Sequence, residues 1–280
     1  MVRRLIWSLS LALISAIVLS RPAHLSAQWL KYPTAGIPRT ADGKPNLSAP
    51  TPRTSDGKPD FSGMWLTDDG PPCNNNPGAA FIQCGIELPI SVLGFNMGAK
   101  TPGGLPLQPW AAALVKKRTS ENSKDDPHAR CLPDTFLRAY GLPHIQKFIQ
   151  VPGLLVMLDE VNASYRQVFT DGRPLPDDPV PAWNGYSSGK WEGDTLVADS
   201  IGFRDDLWLD MAGTFITDKA KIRERISRPD YGHLKIEATV DDSKAYTKPW
   251  TVTMTQRIVV DTELVDEICL ENEKSSQRMK

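Results

Sequence analysis

The chain predicts a mainly β protein: an antiparallel β-barrel or a barrel-like sheet. An extended N-terminal region and one short helix complete it. Three observations lead there. Of 24 prolines, 14 lie at or before Pro109, and proline is excluded from central strands. Past Pro143 the sequence is rich in β-branched residues that alternate with polar ones. These runs follow one another without intervening helical segments, which favours antiparallel pairing.

In chain order, the first segment has the pattern of a secretory signal. Arg3 and Arg4 precede the apolar run Leu5 to Leu19, and "HLSAQ" offers a small-residue cleavage site after Ala27. Residues 1–27 are read as a signal peptide, so the protein is expected to be secreted or periplasmic, with no membrane span in the mature chain. Residues 28–60 read as an extended Pro-rich linker. Within it "PRTADGKPNLS" recurs as "PRTSDGKPDFS", and each Asp-Gly-Lys-Pro signals a turn. Two copies are too few for a solenoid. Residues 61–280 read as a single barrel-like domain, with a disulfide loop and a short helix in 61–135. "FSGMW" offers a first strand whose Trp65 fills the core; its Gly63-Met64-Trp65 resembles, loosely, the Gly-x-Trp that opens a calycin or lipocalin barrel. "QPWAAALVKKRTSEN" (Gln108 to Asn122) is the helix, with Pro109 early and Ala111, Leu114 and Val115 on one side.

The expected strands are "IQKFIQV", "LLVMLDEV", "SYRQVFT", "LVADSIGF", "KIRERISR", "HLKIEATV", "WTVTMTQRIVV" and "LVDEICL". In "HLKIEATV", Leu234, Ile236, Ala238 and Val240 share one face; in the next run Trp250, Val252, Met254 and Ile258 do. Four cysteines in an exported chain predict disulfides, and four allow three pairings. Cys73–Cys84 and Cys131–Cys269 are favoured.

The formal net charge is −1, which argues against nucleic acid or electrostatic membrane binding. No Cys-x-x-Cys is present, and His128, His144 and His233 lack metal-ligand spacing. Neither a metal nor another cofactor is expected. Acidic doublets such as Asp125-Asp126 and Asp241-Asp242 read as turn and cap residues, since none fits a calcium loop. "GYSSG" (Gly185 to Gly189) matches Gly-x-Ser-x-Gly, but a strand-like run follows Ser187 where a hydrolase needs a helix, so a turn is the better reading. Glu224 shares a face with Ile222 and Ile226, and Glu160 with Leu154, Val156 and Leu158. If those faces are interior, the two carboxylates could act as acid and base, or Glu224 could pair with Arg166 or Arg225. Gln256 is a third polar group on an apolar face. Trp183, Tyr186 and Trp250 follow loop or Pro segments and are the candidate mouth of a pocket, with Trp191 and Arg166 beside them.

From about Lys124 onward the chain resembles a family of uncharacterised secreted proteins of soil and environmental bacteria. "KDDPHARCLP", "RQVFTDGRPLPDDPVPAWNGYSSGKWEGDTLVADSIGF", "WLD", "DDSKAYTKPWTV" and "CLENEK" carry the resemblance. The family pattern has a histidine in the loop after "WLD", where this chain reads "MAGTFITD". The resemblance implies export and a shared fold rather than a chemistry. The function expected is binding of a small apolar, aromatic or sugar molecule in the barrel mouth. The alternatives are a hydrolase, lyase or isomerase using Glu224 and Glu160, and a surface-interaction protein.

Overall fold

The computed structural model describes residues 33–68, 96–101 and 103–271. The leader 1–27 and the Cys73–Cys84 pairing lie outside them. The strands are β1 Gly63–Thr67, β2 Gln146–Val151, β3 Leu154–Asp159, β4 Tyr165–Phe169, β5 Tyr186–Glu192, β6 Thr195–Ile201, β7 Leu207–Trp208, β8 Phe215–Ile216, β9 Lys221–Ser227, β10 His233–Asp241 and β11 Trp250–Val259. Nine of them close a barrel in the order β1-β11-β10-β9-β6-β5-β4-β3-β2, while β7 and β8 form a separate hairpin.

Alternation sets the lumen. β9 buries Ile222, Glu224 and Ile226, β10 buries Leu234, Ile236, Ala238 and Val240, and β11 buries Trp250, Val252, Met254, Gln256 and Ile258. Residues between them stay wet, as expected for a sheet with one packed face. β1 supplies the closing strand, antiparallel to both β11 and β2. Trp65 is fully buried and its indole N–H donates to the Phe61 carbonyl at 2.9 Å. The Arg228 guanidinium lies 4.8 Å from its ring. Burial pushes the Arg228 pKa down to about 10.

One seam departs from the antiparallel pattern: β4 pairs with β5 in parallel, over Val168↔Ser187 and Phe169↔Ser188 alone. The connector "TDGRPLPDDPVPAWNG" is too long for a hairpin, and its prolines cannot join a ladder, so the chain crosses over before pairing again. "GYSSG" is therefore not a turn. It runs into β5, and Ser187 points into the lumen. Serine and glycine are poor strand formers, which hid the strand. Gly189 packs closely there: a Cβ would meet the Leu196 and Val168 methyl groups at 3.1 Å, tighter than ordinary contact.

The expected helix is α1, Pro109–Ser120, with proline in its first turn. A second helix, α2 Phe136–Ala139, was not expected. Its four residues and Tyr140 are all buried, so it enters the core cluster as a plug. Thr135 caps it, accepting from Arg138 N–H at 3.2 Å. Arg138 is bound by Asp126 through two 2.8 Å hydrogen bonds, and by Asp134 at 3.1 Å.

"LVDEICL" is not a strand. It makes one isolated bridge, Val161↔Glu267, just past the end of β3, and is anchored by the Cys131–Cys269 disulfide. Each repeat copy forms the same turn: Arg39 faces Pro45 and Arg53 faces Pro59. Thr40 and Thr54 N–H donate to the Lys44 and Lys58 carbonyls at 2.8 and 2.9 Å. Asp242 is a buried cap, accepting from Thr217 N–H at 2.7 Å and from Lys244 N–H at 3.1 Å.

Candidate functional site

Arg166 leaves β4 and crosses the lumen. Its Nε donates to Ser187 Oγ at 3.1 Å and its Nη1 to Tyr140 Oη at 3.0 Å. Nη2 donates to Ser200 Oγ at 3.0 Å and to Glu224 Oε2. The two serines are 2.8 Å apart. Glu224 has room for the guanidinium because its neighbours across the sheet are Ala198 and Ala238. The Phe136 ring of the plug covers the guanidinium at 3.5 Å, a cation–π contact in a desolvated place. Burial works against the Arg166 charge, but Glu224 and Tyr140 outweigh it and hold the pKa above the usual arginine range. Burial, reinforced by the Glu224 charge, pushes the Tyr140 phenol well above its ordinary value. Glu224 Oε1 has no hydrogen-bond partner among the described residues.

This network binds its members to one another and pins the plug. The space left beside it, between α2 and β2–β4, is about 10 Å³, no more than a water needs. Gln256 serves the same end, donating to the Tyr140 carbonyl at 2.6 Å.

A larger groove of about 520 Å³ lies outside, along the β4–β5 seam. Because the parallel pairing spans two residue pairs, Tyr165–Gln167 and Ala182–Gly185 diverge and leave a cleft. Tyr165, Phe169, Trp183 and Tyr186 line it, with Asn184, Ser164 and Gln167. Tyr165 is 64 % exposed. Phe169 and Tyr186 stack at 5.3 Å. Arg173 sits over Phe169 at 3.9 Å and Arg204 over Trp183 at 5.1 Å. Asn184 fixes the floor: its Nδ2 donates to the Tyr165 carbonyl at 2.9 Å and its Oδ1 accepts from Phe136 N–H at 2.7 Å.

The predicted residues therefore separate. Trp183 and Tyr186 share the groove, whose lining includes Arg166 and Ser187. Trp191 lines another cavity, of about 260 Å³, between the second repeat loop and the β2–β3 turn. It packs against Phe61 at 5.2 Å. Trp250 is a core residue, 5.4 Å from Tyr246. Glu224 and Glu160 are not brought together. The buried face of β3 carries Leu155, Met157 and Asp159, so Glu160 falls on the other face, just past the strand end. There it meets His144 and Glu267. Alternation defined that face correctly, but it could not say which side was the lumen.

Sequence reasoning missed Tyr140, Ser200 and Phe136, which complete the Arg166 network. The alternation of "LVADSIGF" does put Ser200 on the face of Leu196 and Ala198. Asp210, from the "WLD" motif, was also missed. It is fully buried and accepts from the N–H groups of Met97, Ala212 and Thr214, each at 3.0 Å. Burial raises its pKa.

No helix among the described residues is long and apolar enough to cross a membrane. Compared with known proteins, the chain matches no family model, no curated protein and no solved structure.

Proposed function

We propose that this is an exported protein that binds a small ring compound, aromatic or sugar, in the groove over the β4–β5 seam. The observation that carries the reading is the groove: a 520 Å³ cleft with Trp183, Tyr165, Tyr186 and Phe169 on its walls and Asn184 in its floor. Ligand pockets have about this size and this mixture of aromatic walls with a few fixed polar groups. Aromatic faces stack on either kind of ring, and the Arg204 guanidinium over Trp183 favours a neutral or anionic ligand. Export is supported by the signal-like leader and by the Cys131–Cys269 disulfide.

The test is calorimetric titration of the full chain with p-nitrophenyl glucoside, benzoate and glucose, with native mass spectrometry of protein taken from its exporting host. The expected result is binding at one site by at least one probe, or an adduct of a few hundred daltons that leaves on denaturation. Trp183→Ala should weaken that binding roughly tenfold or more but also lower the melting temperature, because the ring packs against the core. Tyr165→Ala, at a residue 64 % exposed in the same groove, should weaken binding with the melting temperature unchanged. A clean apo mass together with no binding by any probe overturns the proposal.

A further inference from the structure

His144, Glu160 and Glu267 come from three separate segments and meet on the outside of the barrel. The His144 Nδ1 stands 3.6 Å from Glu160 Oε1 and 3.4 Å from Glu267 Oε2. One donor atom from each of the three residues lies within 4.8 Å of the others. Backbone pairing fixes the arrangement. Glu160 N–H donates to the Ile145 carbonyl beside His144 at 3.1 Å, and Glu267 N–H donates to the Glu160 carbonyl at 2.7 Å. The Cys131–Cys269 disulfide anchors the Glu267 segment two residues further on. Neither carboxylate is paired with a lysine or arginine among the described residues. The cluster thus presents two carboxylates and an imidazole with no counter-charge of its own beyond what His144 can carry.

We propose that these three residues form a binding site for a divalent transition metal, with zinc as the best fit. Zinc bonds to imidazole nitrogen and carboxylate oxygen are about 2.0–2.2 Å, and tetrahedral donors at that radius stand about 3.3–3.6 Å apart. The His144–Glu160 and His144–Glu267 separations, 3.6 and 3.4 Å, have this spacing. An imidazole ligand disfavours calcium and magnesium, which take oxygen donors. Three protein donors leave a fourth position for solvent or for an oxygen of a bound molecule. A second imidazole stands close by: the His128 ring is 6.4 Å from that of His144, and Asp134 holds its Nδ1 at 2.7 Å. The sequence concealed the site because its three members are far apart along the chain, and only the return of the C-terminal segment joins them.

The experiment uses the full chain without a histidine tag, stripped with chelator and titrated with Zn²⁺ by calorimetry and with Co²⁺ by visible absorption. One Zn²⁺ per chain at micromolar affinity or better is expected, with Co²⁺ giving tetrahedral d–d bands that Zn²⁺ displaces. His144→Ala and Glu267→Gln should each weaken Zn²⁺ binding by roughly tenfold or more. His233→Ala, altering a histidine held by Asp230 instead, should leave it unchanged. Glu267 is 56 % exposed, so Glu267→Gln remains informative if His144→Ala fails to fold. Absence of one-to-one binding up to about 100 μM, or binding that Glu267→Gln leaves intact, overturns the site. Neither result bears on ring-compound binding in the seam groove, which is read without metal.

Discussion

The lumen and the outer wall of this barrel both carry polar side chains among apolar ones, and they use them differently. In the lumen, Arg166 spends its donors on Ser187, Tyr140, Ser200 and Glu224. The groups close on one another, and the plug seals them under Phe136. Outside, aromatic side chains line an open groove along the β4–β5 seam, and at the β3 end two carboxylates gather around His144 with no lysine or arginine partner among the described residues. A barrel is commonly read as a container for a ligand. Here the container is filled by its own chain, and the groups free to meet a partner are on the wall and rim. A buried polar residue is thus a poor guide to function unless its partners are known.

The sharpest way to break the comparison is to remove Glu224. If the lumen network is structural, Glu224→Ala leaves the Arg166 guanidinium buried without its counter-charge. The loss should be about 3–5 kcal/mol by urea unfolding. The double substitution Arg166→Met with Glu224→Leu should recover most of it, since apolar pairs of similar volume often replace buried ion pairs without penalty. A loss below about 1 kcal/mol for Glu224→Ala would mean that the carboxylate is free for other work, and the lumen would return as a candidate site.

The disulfide gives the next largest effect. Cys131 and Cys269 are 138 residues apart, so opening the bond releases a long loop in the unfolded chain. Paired Cys131→Ser and Cys269→Ser substitutions should cost about 2–5 kcal/mol. If the cost is entropic, it should appear equally in protein whose β-rich circular dichroism is unchanged. A native-state change confined to the 264–270 segment would instead place the effect at the rim.

These contrasts bear on how much could be read from sequence. Alternation in "HLKIEATV" and "WTVTMTQRIVV" defined two strands and their buried faces, because one lumen-facing set per strand is all that a barrel demands. The same periodicity puts Glu224 on the face of Ile222 and Ile226, which the barrel turns inward, and a pair with Arg166 is one of the two roles it allows there. Other features were not legible. The four-residue α2 is shorter than the window in which a helical period can be seen. Two successive serines masked β5, because what holds Ser187 in a strand is Arg166 and Ser200, partners contributed by other strands. The parallel seam, and so the groove, follows from a crossover that sequence shows only as a proline-rich gap. "LVDEICL" looked like a strand because it is apolar and β-branched, yet it is held by a cystine and one bridge. Its real contribution is Glu267.

The smallest effects belong to the twin turns of the N-terminal arm. Arg39 pairs with Asp261 and Arg53 with Asp194, and these pairs stand beside neutral contacts, with Gly232 N–H donating to the Leu47 carbonyl at 2.7 Å and Tyr231 N–H to the Ala49 carbonyl at 2.8 Å. Both ends of the Arg53 pair are largely exposed, and exposed ion pairs are screened and contribute little. Arg53→Ala should leave the melting temperature unchanged within error. The turn itself is a different matter. Gly57 has φ +78° with open space around it, so Gly57→Ala meets no clash and pays only the backbone cost of a left-handed residue, about 1 kcal/mol. Arg53 also donates to the Gly57 carbonyl at 2.9 Å within the turn, so Asp194→Ala joins the matched thermal melts to remove the ion pair alone. If Arg53→Ala and Asp194→Ala both destabilise more than Gly57→Ala, the arm is held by its ion pairs. The opposite order means that the repeated Asp-Gly-Lys-Pro shapes the loop before any charge docks it.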